Sequence, residues 1–337
     1  MHRSEITIDL GAVRHNAQRL LEALAGAELW GVVKANGYGH GATDVGRAAL
    51  DAGASALCVA TAAEGLELRR ELPDARVIVM CPTAELREAR AANFELVISV
   101  GGEIPDGLPV HLKLDTGMGR WGLAELPEPP ANVVGLMSHL ATADTDAAFA
   151  QQQIDRFREA TEPYSHLTRH LANSAAALSL PDARFDAARC GIALYGISPF
   201  NRDPSEFDLR PALAWRSRLA RVFLLRPGES TGYGRRYVAE RPTWIGIVPV
   251  GYADGFRRDL TGTEVLVDGE LRRAVGTVSM DAVAVELERE LPVGTPVTIV
   301  GDGLPIERHA HVAGTIGYEI ACGINSDPTR ARRVVTN

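Results

Sequence analysis

The sequence predicts an N-terminal (β/α)8 TIM-type barrel followed by a mostly β C-terminal domain. Three observations carry this. Eight short apolar runs alternate with amphipathic, Ala-rich stretches over the first ~200 residues, the pattern of buried parallel strands and covering helices. A polar, Pro-containing segment, PFNRDPSEFDLRP at 199–211, interrupts the alternation. Beyond it, apolar runs follow one another without long helices between them.

The eight runs begin at Trp30 (WGVVKA), Ala56 (ALCVAT), Arg76 (RVIVMC), Leu96 (LVISV), Val110 (VHLKLD), Val133 (VVGLMSH), Arg169 (RHLAN) and Ala188 (ARCGIALYG). Helical patterns lie at 11–24, 42–53, 62–72, 84–93 and 147–162, with Thr43-Asp44 and Thr145-Asp146 as helix starts. A doubly wound sheet accommodates six of the runs; the count of eight selects the barrel. In the second part, runs at 215–225, 243–250, 263–267, 273–278, 283–287 and 297–300 predict strands, and Asp268-Gly269 predicts a tight hairpin turn. The domains are therefore placed at 1–208 and 209–337.

Composition narrows the class. The chain has 337 residues, 46% hydrophobic and 23% charged, enough to bury a full core. Its net charge of −8, without a basic tract, argues against nucleic-acid binding, which needs Lys and Arg to displace counterions. The opening MHRSEITIDL carries charges where a secretory signal needs an apolar core, and no run approaches the ~20 apolar residues that cross a bilayer. A cytoplasmic protein with no membrane partner is expected. Cys58, Cys81, Cys190 and Cys322 lack close-pair spacing, so neither a zinc ribbon nor a disulfide framework is expected.

Candidate functional residues cluster after the apolar runs, where the carboxyl ends of barrel strands form the active-site face. Lys34 closes WGVV and precedes the glycine-rich ANGYGHG; a lysine at a strand end reaching solvent is the plainer alternative. VHLKLDTGMGRWG delivers Lys113 and Asp115, then Arg120 after a glycine turn, suited either to an oxygen-rich ligand or to an Asp115–Arg120 salt bridge. His139 ends the next run and could stack on a planar ring or simply be a core histidine. Ser174 opens a helix, where it could meet a phosphate or act as N-cap. Arg189 and Gly191 follow in RCGIALYG. In the second domain Tyr252, Ser279-Met280-Asp281 and Tyr318 are unremarkable alone. His309 and His311 have His-x-His spacing that no further ligand pattern completes, so no metal site is expected.

Together these segments resemble the alanine racemase family of pyridoxal-phosphate enzymes over nearly the whole chain. The resemblance rests on VVKANGYGHG (32–41), HLKLDTGMGRWG (111–122), SHLATAD (138–144), ANSAA (172–176), RCGIALYG (189–196), VGYADGF (250–256), SMD (279–281) and Tyr318-Glu319, in the family's order. It implies that Lys34 forms the Schiff base with pyridoxal 5'-phosphate, with Tyr38 in the same pocket. Arg120 would contact the cofactor's phenolic oxygen and lie near the substrate carboxylate. His139 would stack on the pyridine ring, and Arg189 would bond its nitrogen. Ser174, the backbone of Gly191 and Ile192, and Tyr318 would hold the phosphate. Lys113 is a position that can be carbamylated. The family works as a homodimer with shared sites, which implies that Tyr252, Met280 and Asp281 reach the site of the partner subunit. Lys34 and Tyr252 would then be the two bases that interconvert L- and D-alanine, a peptidoglycan precursor.

The chain departs from the family where it carries Thr277 and Ala282 around Val-Ser-Met-Asp, in place of Arg and Gln, and at Ser326-Asp327-Pro328-Thr329-Arg330, where only the final arginine matches. These departures bear on substrate identity. A racemase for serine or of broad specificity is the nearest alternative; a non-catalytic pyridoxal-phosphate protein is another, which the presence of Tyr252 argues against. A fold-type III decarboxylase would share the two-domain plan, but its glycine and Glu-Pro-Gly-Arg signatures are missing from the sequence.

Overall fold

In a computed structural model of the chain, residues 3–101 and 104–337 are described. Strand β1 (Ser4–Asp9) runs directly into helix α1 (Leu10–Leu24), which buries Val13, Ala17, Leu20 and Leu24 along one stripe. The barrel strands follow: β2 (Glu28–Val32), β3 (Ala56–Val59), β4 (Val77–Val79), β5 (Glu95–Ile98), β6 (Val110–Lys113), β7 (Val133–Met137), β8 (Thr168–His170) and β9 (Ala187–Cys190). They close into a parallel barrel in sequence order, β9 meeting β2 at Cys190 and Gly31. Each of the eight apolar runs supplies one strand.

Between the strands lie the short turn α2 (Lys34–Tyr38) and helices α3 (Ala42–Asp51), α4 (Ala62–Glu71), α5 (Leu86–Ala91), α6 (Ala147–Thr161) and α7 (Ser174–Ser179). β6 and β7 are joined instead by the irregular segment 114–132. Asp146 caps α6, its carboxylate accepting the amides of Ala148 and Phe149, both at 3.0 Å. The other expected start is displaced: α3 begins after Gly41, whose φ of 103° suits glycine, so Thr43-Asp44 lies inside its first turn.

The second part contains β10 (Leu213–Arg218), β11 (Arg221–Leu225), β12 (Ser230–Thr231), β13 (Tyr237–Val238), β14 (Thr243–Val248), β15 (Glu264–Val267), β16 (Glu270–Val275), β17 (Val283–Leu287), β18 (Pro296–Val300) and β19 (Ala331–Thr336). Two helices, α8 (Ile306–Ala313) and α9 (Gly317–Gly323), precede β19. A nine-stranded sheet runs β11-β14-β17-β16-β15-β18-β10-β1-β19. Leu225, Ala239, Ile245, Val275 and Ala284 form one of its packed clusters. The run at 215–225 is two strands, because the chain changes partners at Leu219-Ala220: β10 pairs with β18 and β11 with β14. Asp268 and Gly269 make the β15–β16 turn with φ of 54° and 80°, both left-handed as such a turn needs.

The chain divides into two compact units. One holds Ala12–Phe200 and Ser205–Arg210; the other holds 3–11, Asn201–Pro204 and Pro211–Asn337. This division differs from 1–208 and 209–337 at the amino end and in the linker, where 201–204 go with the β unit and 209–210 with the barrel. β1 lies between β10 and β19, antiparallel to the first and parallel to the second, so backbone pairing places it with the β unit. Among the described residues, no helix is long and apolar enough to cross a membrane.

Candidate active site

Lys34 leaves the carboxyl end of β2, half-buried, and the backbone after it is left-handed. Ala35, Asn36, Gly37 and Tyr38 have φ of 52°, 50°, 61° and 52°. Non-glycine residues hold this conformation at a cost of roughly 1–2 kcal/mol each, so neighbouring bonds must impose it. They are present. Glu64 accepts the Ala35 amide at 2.8 Å through one oxygen and the Ala60 amide at 2.7 Å through the other. Asn36 Oδ1 accepts the Ala42 amide at 3.1 Å. Tyr38 is buried with its ring 4.9 Å from that of Tyr195, whose hydroxyl donates to Val32 O at 2.9 Å. A Cβ on Gly191 would lie 2.4 Å from the Tyr38 hydroxyl, so the glycine lets the Lys34 turn and the segment after β9 meet.

Lys113 ends β6 and Arg189 lies in β9, with relative exposures of 5% and 4%. His139 follows β7, half-buried. Burial, then Arg189, Lys113, Arg120 and Lys34, hold its imidazole well below the usual histidine range, so it is neutral. Arg189 Nη2 lies 3.4 Å from His139 Nδ1, and all four cations add to the positive field at the ring. Burial, with Arg189 and Arg120 nearby, lowers the Lys113 amine to about 8. Burial lowers Arg189 to about 10, which leaves it charged at neutral pH. Burial also pushes the thiols of Cys58 and Cys190 up to about 12, so neither is a nucleophile there.

Asp115 does not serve Arg120 as a salt-bridge partner. Its carboxylate caps the glycine loop, accepting the amides of Gly117 at 2.9 Å, Met118 at 2.8 Å and Gly119 at 3.0 Å. Arg120 lies over the Trp121 ring, 5.6 Å from its centroid. Ser174 is not the N-cap of α7. Asn173 is, accepting the Ala176 amide at 3.0 Å, while Ser174 Oγ turns to the next strand end and accepts the amides of Gly191 at 3.1 Å and Ala193 at 3.4 Å. Ile192 is buried in the turn that follows.

In the β unit, Tyr252 and Met280 are 42% and 52% exposed on adjoining loops, the Tyr252 amide donating to Ser279 O at 3.0 Å. A Cβ on Gly251 would lie 2.2 Å from Ser279 O, so this close approach requires glycine. Buried Asp254 anchors the turn, accepting the Gly251 amide at 2.9 Å and Arg330 Nε at 2.9 Å. Arg330 also donates to Asp281 at 2.8 Å, and Arg3 does so at 3.1 Å; these arginines hold the Asp281 carboxyl below its usual range. The one matching arginine of the C-terminal motif thus supports the Tyr252 loop. Thr277, buried, donates to Tyr233 O at 2.9 Å. Tyr318 sits half-buried at the start of α9. His309 is a core residue, its ring nitrogens on Thr263 Oγ1 at 2.8 Å and Ile299 O at 2.6 Å, and His311 is exposed.

Four residues escaped the sequence reading: Glu64, Glu95, His111 and His170. Glu64 was legible as half of a capping box, Thr61-x-x-Glu64, whose second oxygen was free for other work. The other three stand as polar residues inside apolar strand runs (FELVI, VHLK, TRHL), a signal that a barrel interior departs from an aliphatic filling.

Fold and site together define a two-unit enzyme class: a (β/α)8 barrel with a lysine and three further cations at its strand ends, and a β unit that exposes a tyrosine. Two family models match successive parts of the chain. The alanine racemase N-terminal domain matches residues 8–199 and the C-terminal domain matches 212–334. "Alanine racemase 1" of Bacillus subtilis is 39% identical over 95% of this chain and 90% of its own length. The Lactiplantibacillus plantarum alanine racemase is 38% identical over 96% of both. Among solved structures, the Streptomyces lavendulae alanine racemase superposes with a TM-score of 0.91 at 34% identity, covering 100% of this chain and 98% of its own. The Bacillus anthracis alanine racemase, solved with bound L-Ala-P, gives 0.86 at 30% identity, covering 100% and 96%. The chain belongs to the alanine racemase family, a family of isomerases.

Proposed function

We propose that this protein interconverts L-alanine and D-alanine, using pyridoxal 5'-phosphate held at the carboxyl ends of the barrel strands. The observation that carries the reading is Arg189 Nη2 set 3.4 Å from Nδ1 of a neutral His139, in a positive field to which Lys113, Arg120 and Lys34 add. The nearby carboxylate, Asp115, is occupied by its own loop. A planar, phosphate-bearing ligand fits such a donor set: imidazole offers a flat apolar face, and the cations balance the ligand's charge. The solved relative with bound L-Ala-P supports alanine as the substrate.

When bound, pyridoxal phosphate supplies an electron sink that makes the substrate Cα–H acidic. Lys34 would hold the cofactor in the resting site and, as a free amine once the substrate is bound, would move the proton on one face of Cα. Arg120 orients the substrate carboxylate, and Arg189 donates to the ring nitrogen. Ser174, the backbone of Gly191 and Ile192, and Tyr318 hold the phosphate, with Tyr38 in the same pocket. Tyr252 of the partner subunit moves the proton on the opposite face, and its exposure beside Met280 supports a role for a second copy of the chain. Lys113 is open to carbamylation: its lowered amine is partly neutral at pH 7 and can add carbon dioxide, losing a proton, and the carbamate would then face Arg120 in place of a cation. The reading includes a cytoplasmic homodimer that supplies D-alanine for peptidoglycan.

The test is racemisation of L-alanine and of D-alanine by the purified protein with added pyridoxal phosphate. The wild type should convert both, and Tyr252→Phe should lose about 10²–10⁴-fold in rate. No racemisation of alanine would overturn the reading. Thr277, tucked beneath the Tyr233 loop where the family commonly has arginine, favours one second reading: a preference for another small amino acid. Serine run alongside alanine separates the two.

A further inference from the structure

The interior of this barrel is polar where such barrels are ordinarily filled by branched aliphatic side chains. Arg189 Nη1 lies 2.8 Å from His170 Nδ1, and His170 Nε2 lies 3.0 Å from His111 Nδ1. His111 Nε2 lies 2.7 Å from Glu95 Oε2. Arg76 grips both oxygens of Glu95, Nε at 2.6 Å and Nη2 at 3.0 Å. His111 and His170 are fully buried, and Trp30 packs on both, its ring 4.4 Å from that of His170 and 5.6 Å from that of His111. A Cβ on Gly135 would lie 2.2 Å from His111 Nδ1, so β7 makes room for the ring with a glycine.

The protons in this line have one direction. An arginine can only donate, so His170 Nδ1 must accept and its Nε2 must carry the hydrogen. His111 Nδ1 therefore accepts, and its Nε2–H donates to Glu95. Both rings are neutral, which agrees with the depression of both by burial and, for His170, by adjacent Arg189. Glu95 is ionised, lowered to about 2 by His111 and Arg76 against the opposing effect of burial. The other Nη contacts of Arg189 are Ser138 O at 2.7 Å, His170 O at 2.8 Å, Leu171 O at 3.2 Å and His139 Nδ1 at 3.4 Å.

We propose that Glu95, His111 and His170 are positioning residues for Arg189: a directional relay that fixes the guanidinium and carries compensating negative charge toward it from the opposite end of the barrel. This rests on the reading of Arg189 as partner of the cofactor's ring nitrogen. The carboxylate polarises each ring in turn and tempers the positive field that Arg189 presents to the ring. A less tempered Arg189 withdraws more electron density and permits protonation at the wrong carbon, which is transamination.

Glu95→Gln tests this in the holoenzyme. Arg76 and His111 present donors to both carboxylate oxygens; the glutamine has a single acceptor oxygen, so one donor loses its partner. In nitrogen-15 spectra the wild type should show His111 and His170 neutral and hydrogenated only at Nε2. Glu95→Gln should keep the tautomers that Arg189 sets but shift the His111 Nε2 resonance through loss of its charged acceptor, and the holoenzyme should partition several-fold more often to transamination with the KM for alanine unchanged. Arg76→Met, which spares the histidines and leaves the carboxylate without its cation, should move both readouts the opposite way, and serves if Glu95→Gln does not fold. A merely structural role would lower the melting temperature alone. An unchanged His111 Nε2 resonance and an unchanged partition in a folded variant overturn the relay. A wild type with the relay's tautomers but no racemisation of any amino acid overturns the functional reading instead.

Discussion

The Glu64 carboxylate accepts the amide of Ala35 at 2.8 Å, fastening α4 to the residue that follows Lys34. The bond spans the carboxyl ends of two barrel strands and holds three consecutive non-helical residues against their backbone preference. Glu64→Ala removes acceptors for the Ala35 and Ala60 amides. We expect a loss of about 2 kcal/mol in stability, the size of a charge-assisted hydrogen bond, and weaker retention of pyridoxal phosphate. Urea denaturation and the cofactor absorbance after dialysis measure both; a variant that keeps its cofactor as the wild type does would contradict this role.

Gly191→Ala should be more damaging than its size suggests. The new methyl would lie 2.4 Å from the Tyr38 hydroxyl and 2.9 Å from its ring carbon Cζ, so Tyr38 must move. Cofactor affinity should fall at least tenfold while the barrel still folds. Equilibrium titration of the variant with pyridoxal phosphate checks it, and wild-type affinity would show that the contact is unimportant.

Stability should decline in acid in two separate steps. His111, His139 and His170 are all depressed below 6.5 by burial. Below that pH the unfolded chain binds protons that the folded chain refuses, so their contribution is complete above 6.5 and erodes beneath it. Glu95 is lowered from 4.5 to about 2, so its contribution is complete above 4.5 and is lost as pH falls toward 2. Urea midpoints between about pH 7.5 and 5.5 read the histidine step. A flat profile there would show that the three rings titrate normally.

Lys113, with its amine near 8, is roughly one-tenth neutral at pH 7 and half neutral at 8. Carbamylation needs the neutral amine, so its extent should rise across that interval and with added bicarbonate. Carbon-13-labelled bicarbonate should give a carbamate resonance in the wild type that Lys113→Ala lacks. A resonance persisting in Lys113→Ala would place the modification elsewhere.

Arg189 cannot be probed by charge reversal alone. Arg189→Glu would set a carboxylate against the carbonyl oxygens of Ser138, His170 and Leu171, so misfolding would obscure the chemistry. Arg189→Lys keeps the charge but loses the fork. It should retain the fold and shift the absorbance of the bound cofactor; an unshifted spectrum in a loaded variant would separate Arg189 from the ring nitrogen.

The sequence by itself determined the eight strands, because each is a short apolar run whose local pattern differs from the helices around it. It also placed Lys34, His139 and Arg189 at or near strand carboxyl ends and put the family's segments in order. It did not determine what those side chains touch. His111 and His170 are 59 residues apart and become partners only when β6, β7 and β8 line up within a closed barrel. β1 joins the β unit through pairing with strands more than 200 positions away, which no local periodicity encodes. The left-handed backbone after Lys34 is likewise a tertiary decision. Ala-Asn-Gly-Tyr has no intrinsic preference for four consecutive positive φ values, and the Glu64 carboxylate, the Asn36 side chain and the packing of Tyr38 against Tyr195 impose them.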